Sequence, residues 1–474
     1  MEKNMDKNVI KDPKKRMLVF INIMIATIAS SMLATALTTA LPPIVKDLNI
    51  SITMGQWLTS GYSLAMAIMM PLTAFLINRF PTKKLYCSAI IIFIAGLMIC
   101  CVAPTFPIMM IGRIVQASGN GILTSMAQVI TLSIFPSEKK GSAMGWYGLS
   151  VGAAPVIAPT IAGIMVDQVG WRMIFVAAAV IMVIGLVYAI AVLGNVLDNE
   201  AVKFDVGSFL LSAIAFGGVT LGIGNIGNYG LMGMQTYIPL ILGIIGSVLF
   251  VRKQMHLKEP FLDVRILSNR DYAISVIGSM LLYFIMMGSS ILLPLYVQQV
   301  KGLSATTSGL VALPGSLAMA IISPFAGKLF DKLGIKILLF SGSVCLIVSN
   351  LCMYFITLNT SVWFAAVFNV IRSVAIGCLM MPLVTWGASS IDTRKTSHAT
   401  ALLTSLRTIS GAIGSAVFVA VMTVAASYKV KQLGDDASMY GMNVAFAAMA
   451  LSSLLLFVVA IVVCKYQKSK KEFN

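Results

Sequence analysis

The chain has 474 residues, 58% of them hydrophobic and 11% charged, with 34 Lys and Arg against 17 Asp and Glu. No water-soluble fold has an interior large enough for that share of apolar side chains, which excludes a soluble enzyme or a soluble nucleic-acid-binding domain and makes lipid part of the solvent. The formal charge of +17 therefore has to be explained by orientation in a membrane, and no nucleic-acid partner is expected.

Residues 1–16, "MEKNMDKNVIKDPKKR", are too long and too charged for the start of a cleaved secretory signal, and the apolar run behind them is long enough for a full span. They read as a retained cytosolic segment. Apolar runs then recur at 17–41, 54–78, 85–103, 107–134, 141–166, 171–194, 206–226, 235–251, 272–299, 304–330, 335–357, 362–387, 397–426 and 442–464. Most reach the roughly 20 residues that a spanning helix needs, so fourteen transmembrane helices are expected. With the N-terminus inside, 26 of the basic residues fall in segments on the cytosolic face. Five (Lys46, Arg172, Lys301, Lys429 and Lys431) fall outside. This bias fits an even helix number with both termini in the cytosol. The remaining three, Arg113, Arg372 and Arg407, lie within spans. The seven cysteines sit in or beside apolar runs with no metal-ligand or disulfide-framework spacing, and read as small buried hydrophobes.

"PLTAFLINRFPTKKL" (71–85) and "PFAGKLFDKLGIKIL" (324–338) match at an offset of 253: Pro71 with Pro324, Asn78 with Asp331, Arg79 with Lys332 and Lys83 with Lys336. The same offset sets "VIAPTIAG" (156–163) against "ISGAIGSA" (409–416), both rich in small residues. Two matches at one offset point to an internal duplication. The plan is a cytosolic segment (1–16), a six-helix bundle (17–194), two linking transmembrane helices with cytosolic loops (195–271), a second six-helix bundle (272–464) and a cytosolic tail (465–474). Repeat pairs of this kind are the architecture of secondary transporters that rock one half against the other.

Several stretches also resemble one family. "GKLFDKLGIK" is similar to the loop signature Gly-x-Leu-x-Asp-basic-x-Gly-x-basic of the major facilitator superfamily; "GRIVQASGNG" resembles its fourth-helix signature and "GAAPVIAPTIAG" its antiporter signature. With "QWLTSGYSL", "GWRMIF", "LLPLYVQQVKGLSATTSGLVALPG" and "SHATALLTSLRTISGAIGSA", the chain resembles the fourteen-helix drug:proton antiporter branch, in its lincosamide-type multidrug exporter form. The resemblance implies an all-α polytopic membrane protein with the major facilitator fold, two six-helix bundles plus two extra helices, in a bacterial cytoplasmic membrane. It departs from the pattern at Asn78, where the family carries Asp, at Pro81, where it carries Gly, and in the first helix, which lacks the usual acid.

The residues themselves nominate three groups. Arg113 and Gln116, three apart on one helical face, Asn120 beyond them, Asn369 with Arg372, and Asn22 are the polar residues expected to line a substrate cavity, because a charge at mid-bilayer faces polar surroundings or finds a partner. The turn residues Asn78, Arg79, Lys83, Gly327, Asp331, Lys332, Gly334 and Lys336 are expected to gate, with Asp331 able to cap a helix. Gly152, Pro155, Pro159 and Gly163 form a small-residue seam on which helices can slide. Every acid falls in a loop, a tail or at a span boundary, so the cavity is expected to be net positive and to favour anionic or zwitterionic amphiphiles. Asp331, His398 and Arg407 are the weak candidates for ion coupling.

Neither a phosphate-cradling loop, a metal-ligand cluster nor a nucleophile elbow is present, so an enzyme, an ATP-driven pump and a metal site are not expected. The expected function is secondary active export of amphipathic small molecules by alternating access. It needs no cofactor beyond an ion gradient, protons by the resemblance, and is expected of a monomer whose partners are substrate and bilayer. Two alternatives stand beside it: export of one endogenous anionic metabolite or lipid-like acid, and a membrane ligand sensor without transport.

Overall fold

A computed structural model describes residues 10, 12–197, 204–230, 232–433 and 436–472. Every regular element among them is helical: α1 (Pro13–Asp47), α2 (Ile52–Arg79), α3 (Thr82–Val102), α4 (Phe106–Ile134), α5 (Lys140–Val169), α6 (Arg172–Val192), α7 (Val206–Ser212), α8 (Gly218–Tyr229), α9 (Met234–His256), α10 (Arg270–Leu295), α11 (Ala305–Leu333), α12 (Ile335–Tyr354), α13 (Val362–Ser389), α14 (Thr396–Leu433) and α15 (Ala437–Glu472). The helices start where polar side chains can satisfy the first free N–H groups: Ser51 accepts from Met54 N at 3.2 Å, Asn269 from Tyr272 N at 3.0 Å and Ser304 from Thr307 N at 3.1 Å. Gly334, at φ +73° and ψ −174°, closes α11 and opens α12 in one residue, a backbone state that is essentially glycine's and costs other residues about 1–3 kcal/mol.

Among the described residues, twelve helical segments are long and apolar enough to cross a membrane. One of them, Val206–Ile226, runs through α7, a π-helical turn at Ala213–Gly217 and most of α8. Two further helices, α4 of 29 residues and α5 of 30, lie where the fourth and fifth spans are expected but are not among these twelve. α4 is the helix that carries Arg113, Gln116 and Asn120.

The chain divides into two compact units that do not follow the repeat boundary. The first comprises residues 1–137, 150–266 and 391–405, and the second 138–149, 267–390 and 406–474. In the first, α4 packs on α2 and α3, and α6 on α1 and α3. The α3–α4 contact is backbone-close: a Cβ on Gly119 would stand 2.7 Å from Ala89 O. In the second, α13 packs on α10, α11 and α12, and α15 on α10 and α12.

The linking helices belong to the first unit. Phe75 of α2 gathers Phe204 (ring centroids 5.2 Å) and Phe261 (6.0 Å), and Phe209 joins them through Phe204 and Phe261. Asp205 caps α7 through Ser208 N (3.2 Å) and pairs with Lys253 of α9 at 2.8 Å. Burial works to raise the Asp205 carboxyl, but the hydrogen bonds from Lys253 and Ser208 outweigh it and bring the pKa down to about 2. Gln254, fully buried, donates to Ser208 Oγ at 2.7 Å and accepts from Leu262 N at 3.2 Å, which ties the loop after α9 to the pair.

Candidate functional site: buried arginines and turn junctions

Arg113 is 1% exposed, and its hydrogen-bond and ring partners come from α2 and α4. Its Nε donates to Leu58 O at 2.9 Å, Nη1 donates to Gln116 Oε1 at 2.6 Å, and the guanidinium lies 4.0 Å from the Tyr62 ring centroid. A desolvated cation over an aromatic face gains about 2 kcal/mol, which offsets much of the roughly 2.5–3.5 kcal/mol that a mid-membrane arginine costs. Asn120 extends the set by donating to Tyr62 Oη at 2.7 Å. Arg113 Nη2 and Gln116 Nε2 remain buried donors without a partner among the described residues.

Arg372, also 1% exposed, is held by less. Its Nη2 donates to Asn369 Oδ1 at 2.7 Å, and Nη1 has no partner among the described residues. The opposing surface is α11 at Gly315, where a Cβ would collide with the Asn369 amide and stand 2.8 Å from Ser373 Oγ. Arg407, 5% exposed, sits 4.7 Å from the Tyr283 ring centroid with Nε and Nη1 unpartnered among the described residues. Asn22 does not join Arg113. It clamps α1 to α6 by donating to Gly185 O at 2.8 Å, with its buried Oδ1 left without a partner among the described residues.

Of the turn residues, Asp331 makes the contacts a cap requires. Its Oδ1 accepts from Gly141 N at 2.7 Å, and its Oδ2 accepts from Ser142 N at 2.7 Å and from Ser142 Oγ at 2.5 Å. A carboxylate at the opening turn of α5 meets both the free N–H groups and the positive end of the helix dipole. The approach depends on two glycines: a Cβ on Gly327 would overlap Gly141 O, and one on Gly141 would overlap the Asp331 carboxylate. Lys332 is exposed and Lys336 half-buried.

The other copy is built differently. The Asn78 side-chain amide lies 2.9 Å from His398 Nε2 and 2.8 Å from Ser397 Oγ, at the opening turn of α14. His398 Nδ1 accepts from Asp263 N at 3.3 Å. Asp263, 3% exposed, pairs with Lys395 at 2.8 Å and Arg265 at 2.9 Å. Burial works to raise this carboxyl, but the two cations hold it below the usual carboxylate range. Lys83 donates from Nζ to Ile190 O at 2.6 Å, while Arg79 is exposed. Asp263, Arg265, Lys395 and Ser397 are the members of this cluster that the sequence did not nominate. In the small-residue seam, a Cβ on Gly148 would stand 2.7 Å from Ser323 Oγ. Gly152 is buried and Gly163 half-buried, and the side chains of Pro155 and Pro159 lie outside the described residues.

Residues 23–415 match the model of the Major Facilitator Superfamily. The chain belongs to this superfamily. Among its relatives is an uncharacterized MFS-type transporter of Bacillus subtilis, YcnB, 34% identical over 438 residues, covering 92% of this chain and 93% of the relative. The lincomycin resistance protein LmrB of the same organism is 34% identical over 412 residues, 86% of each chain. The human organic anion transporter MFSD10 shares the fold, with a TM-score of 0.68 over 95% of this chain and 100% of its own at 12% identity. The protein is thus a multi-pass membrane transporter of the major facilitator type, and its family members are transporters rather than enzymes.

Proposed function

We propose that this transporter is a secondary active exporter of amphipathic small molecules in a bacterial cytoplasmic membrane. Its termini are cytosolic, it acts as a monomer, and it is driven by the proton gradient through alternating access. The likeness to the lincomycin resistance protein over 86% of both chains supports the export of drug-like molecules, and the basic loops support the orientation.

The observation that carries the substrate class is Arg372: a guanidinium with one amide partner, an unpartnered Nη1 and 1% exposure. An arginine stays protonated, and a buried cation left without a counter-charge gains most from an anionic group brought by substrate. The preferred substrates are therefore amphiphiles carrying a carboxylate or another anion. Specific export of one endogenous anionic metabolite is the second reading, favoured by the same residue.

Everted vesicles containing the wild type are expected to accumulate lincomycin and carboxyfluorescein, and to lose most of that uptake when the pH gradient is collapsed. Arg372→Gln should lower carboxyfluorescein uptake at least fivefold and leave ethidium uptake within twofold of wild type. Equal losses for both dyes would remove the charge-selection reading. Uptake of neither lincomycin nor dyes by the wild type would leave the endogenous-metabolite reading in place of multidrug export.

A further inference from the structure

The first unit holds a titratable side chain in a position where its protonation state decides whether three segments stay joined. His398 is half-buried at the third residue of α14. One ring nitrogen faces Asp263 N, from the loop that follows the linking helices, and the other faces the Asn78 side chain at the end of α2. A backbone N–H can only donate, so Nδ1 carries the lone pair and the single proton of the neutral ring sits on Nε2. In the structure the Asn78 NH2 faces Nε2 and its Oδ1 accepts from Ser397 Oγ; turning the amide over lets its oxygen accept that proton while its NH2 donates to Ser397 Oγ, which accepts as readily as it donates. Every contact in the cluster is satisfied with His398 neutral.

A second proton cannot be accommodated without a break. It would place an N–H on Nδ1 directly against the Asp263 N–H, two donors 3.3 Å apart with nothing to accept. The charged groups around the ring are Asp263, Arg265 and Lys395. The imidazolium is repelled by the two cations and drawn to the Asp263 carboxylate, where it competes with Lys395. Protonation thus exchanges a backbone contact for a contest over one carboxylate and frees the opening turn of α14 from the loop.

We propose that His398 is the proton-carrying residue of the transport cycle, holding the opening turn of α14 to the α9–α10 loop and the end of α2 when neutral and releasing it when protonated. The proposal rests on the proton-coupled reading above. Its sign suits an exporter that exchanges substrate for protons: the proton-free form keeps the clasp shut, the proton taken up opens it, and loss of the proton to the cytosol shuts it again. It also gives the linking helices a task, since their loop carries both Phe261, packed on Phe75, and Asp263.

The test is hydrogen exchange of the 257–269 segment in nanodiscs between pH 8 and pH 5.5, corrected for the intrinsic pH dependence of exchange. Beside it runs lincomycin accumulation in everted vesicles with and without a pH gradient. In the wild type the Asp263 amide should lose at least fivefold of its protection at the low pH. His398→Gln, which keeps a polar planar side chain but cannot titrate, should show no such step and no gradient dependence. Asp263→Asn keeps the N–H and removes the carboxylate that favours the imidazolium, so its step should move to lower pH. A wild-type amide equally protected at both pH values overturns the proposal, as does a step that survives in His398→Gln. A His398→Gln chain that still requires the gradient overturns the proton-carrying role. A wild type indifferent to the gradient defeats the parent reading instead, and the exchange arm shows that separately.

Discussion

Asn78 and Asp331 align at the 253-residue sequence offset, and each meets the opening turn of a long helix, yet the two junctions run on different chemistry. At Asp331 a carboxylate takes two backbone N–H groups and a hydroxyl of α5 directly. At Asn78 the carboxylate is gone from the turn. A histidine has entered the partner helix, and the nearby negative charge, Asp263, comes from a loop outside the repeat. The first junction is a direct contact between a carboxylate and the free N–H groups of a helix start. The second can be switched by one proton. Two junctions that align in the sequence thus differ in whether a titratable ring stands between the turn and the helix it meets.

The comparison breaks most severely at Asp331. Asp331→Ala removes three contacts to an ionised acceptor, each worth about 1.5–3 kcal/mol, and should reduce lincomycin accumulation in everted vesicles more than tenfold. Retention of half the activity or more would show that this junction is not a latch. Asn78→Asp sharpens the contrast. A carboxylate beside Nε2 favours the imidazolium, so the pH at which the Asp263 amide loses protection should rise by about one unit or more. An unmoved or falling midpoint would mean that Asn78 does not read the ring's charge. The smallest effect is expected at Gly334→Ala, where φ +73° with ψ −174° costs the new side chain roughly 1–3 kcal/mol. For a chain of this size that should appear as a drop of only a few degrees or less in the unfolding temperature in detergent, with transport retained.

Much of this was legible in the sequence, for identifiable reasons. Apolar runs of spanning length announce the helices, because hydropathy is a local property of the chain. Asp331 was readable as a cap because an acid in a glycine-bearing turn has few other uses. Gln116 and Asn369 were readable as partners of their arginines because three residues bring side chains together on any helix. The rest depends on chain crossings that no local pattern encodes. Leu58 offers Arg113 a main-chain carbonyl, which every residue possesses. Lys395 reaches Asp263 across 132 positions that share no repeat register. Asn22 is polar in an apolar run, like Arg113, but finds a backbone carbonyl of α6 and serves as a rivet. A polar residue in a membrane helix therefore announces a partner, and only the fold tells whether that partner is substrate or scaffold.

The length of α14 has a consequence of its own. Its 38 residues extend about 57 Å, close to twice the roughly 30 Å of hydrocarbon in a bilayer. A rod that long has to lean or project, and the angle it takes is coupled to acyl-chain length through the exposed apolar surface at its far end, where Val424 and Tyr428 stand 66% and 81% exposed. Transport rates measured in short-chain and long-chain liposomes at constant headgroup composition should accordingly diverge, making membrane thickness a physical setting of this machine alongside voltage and pH.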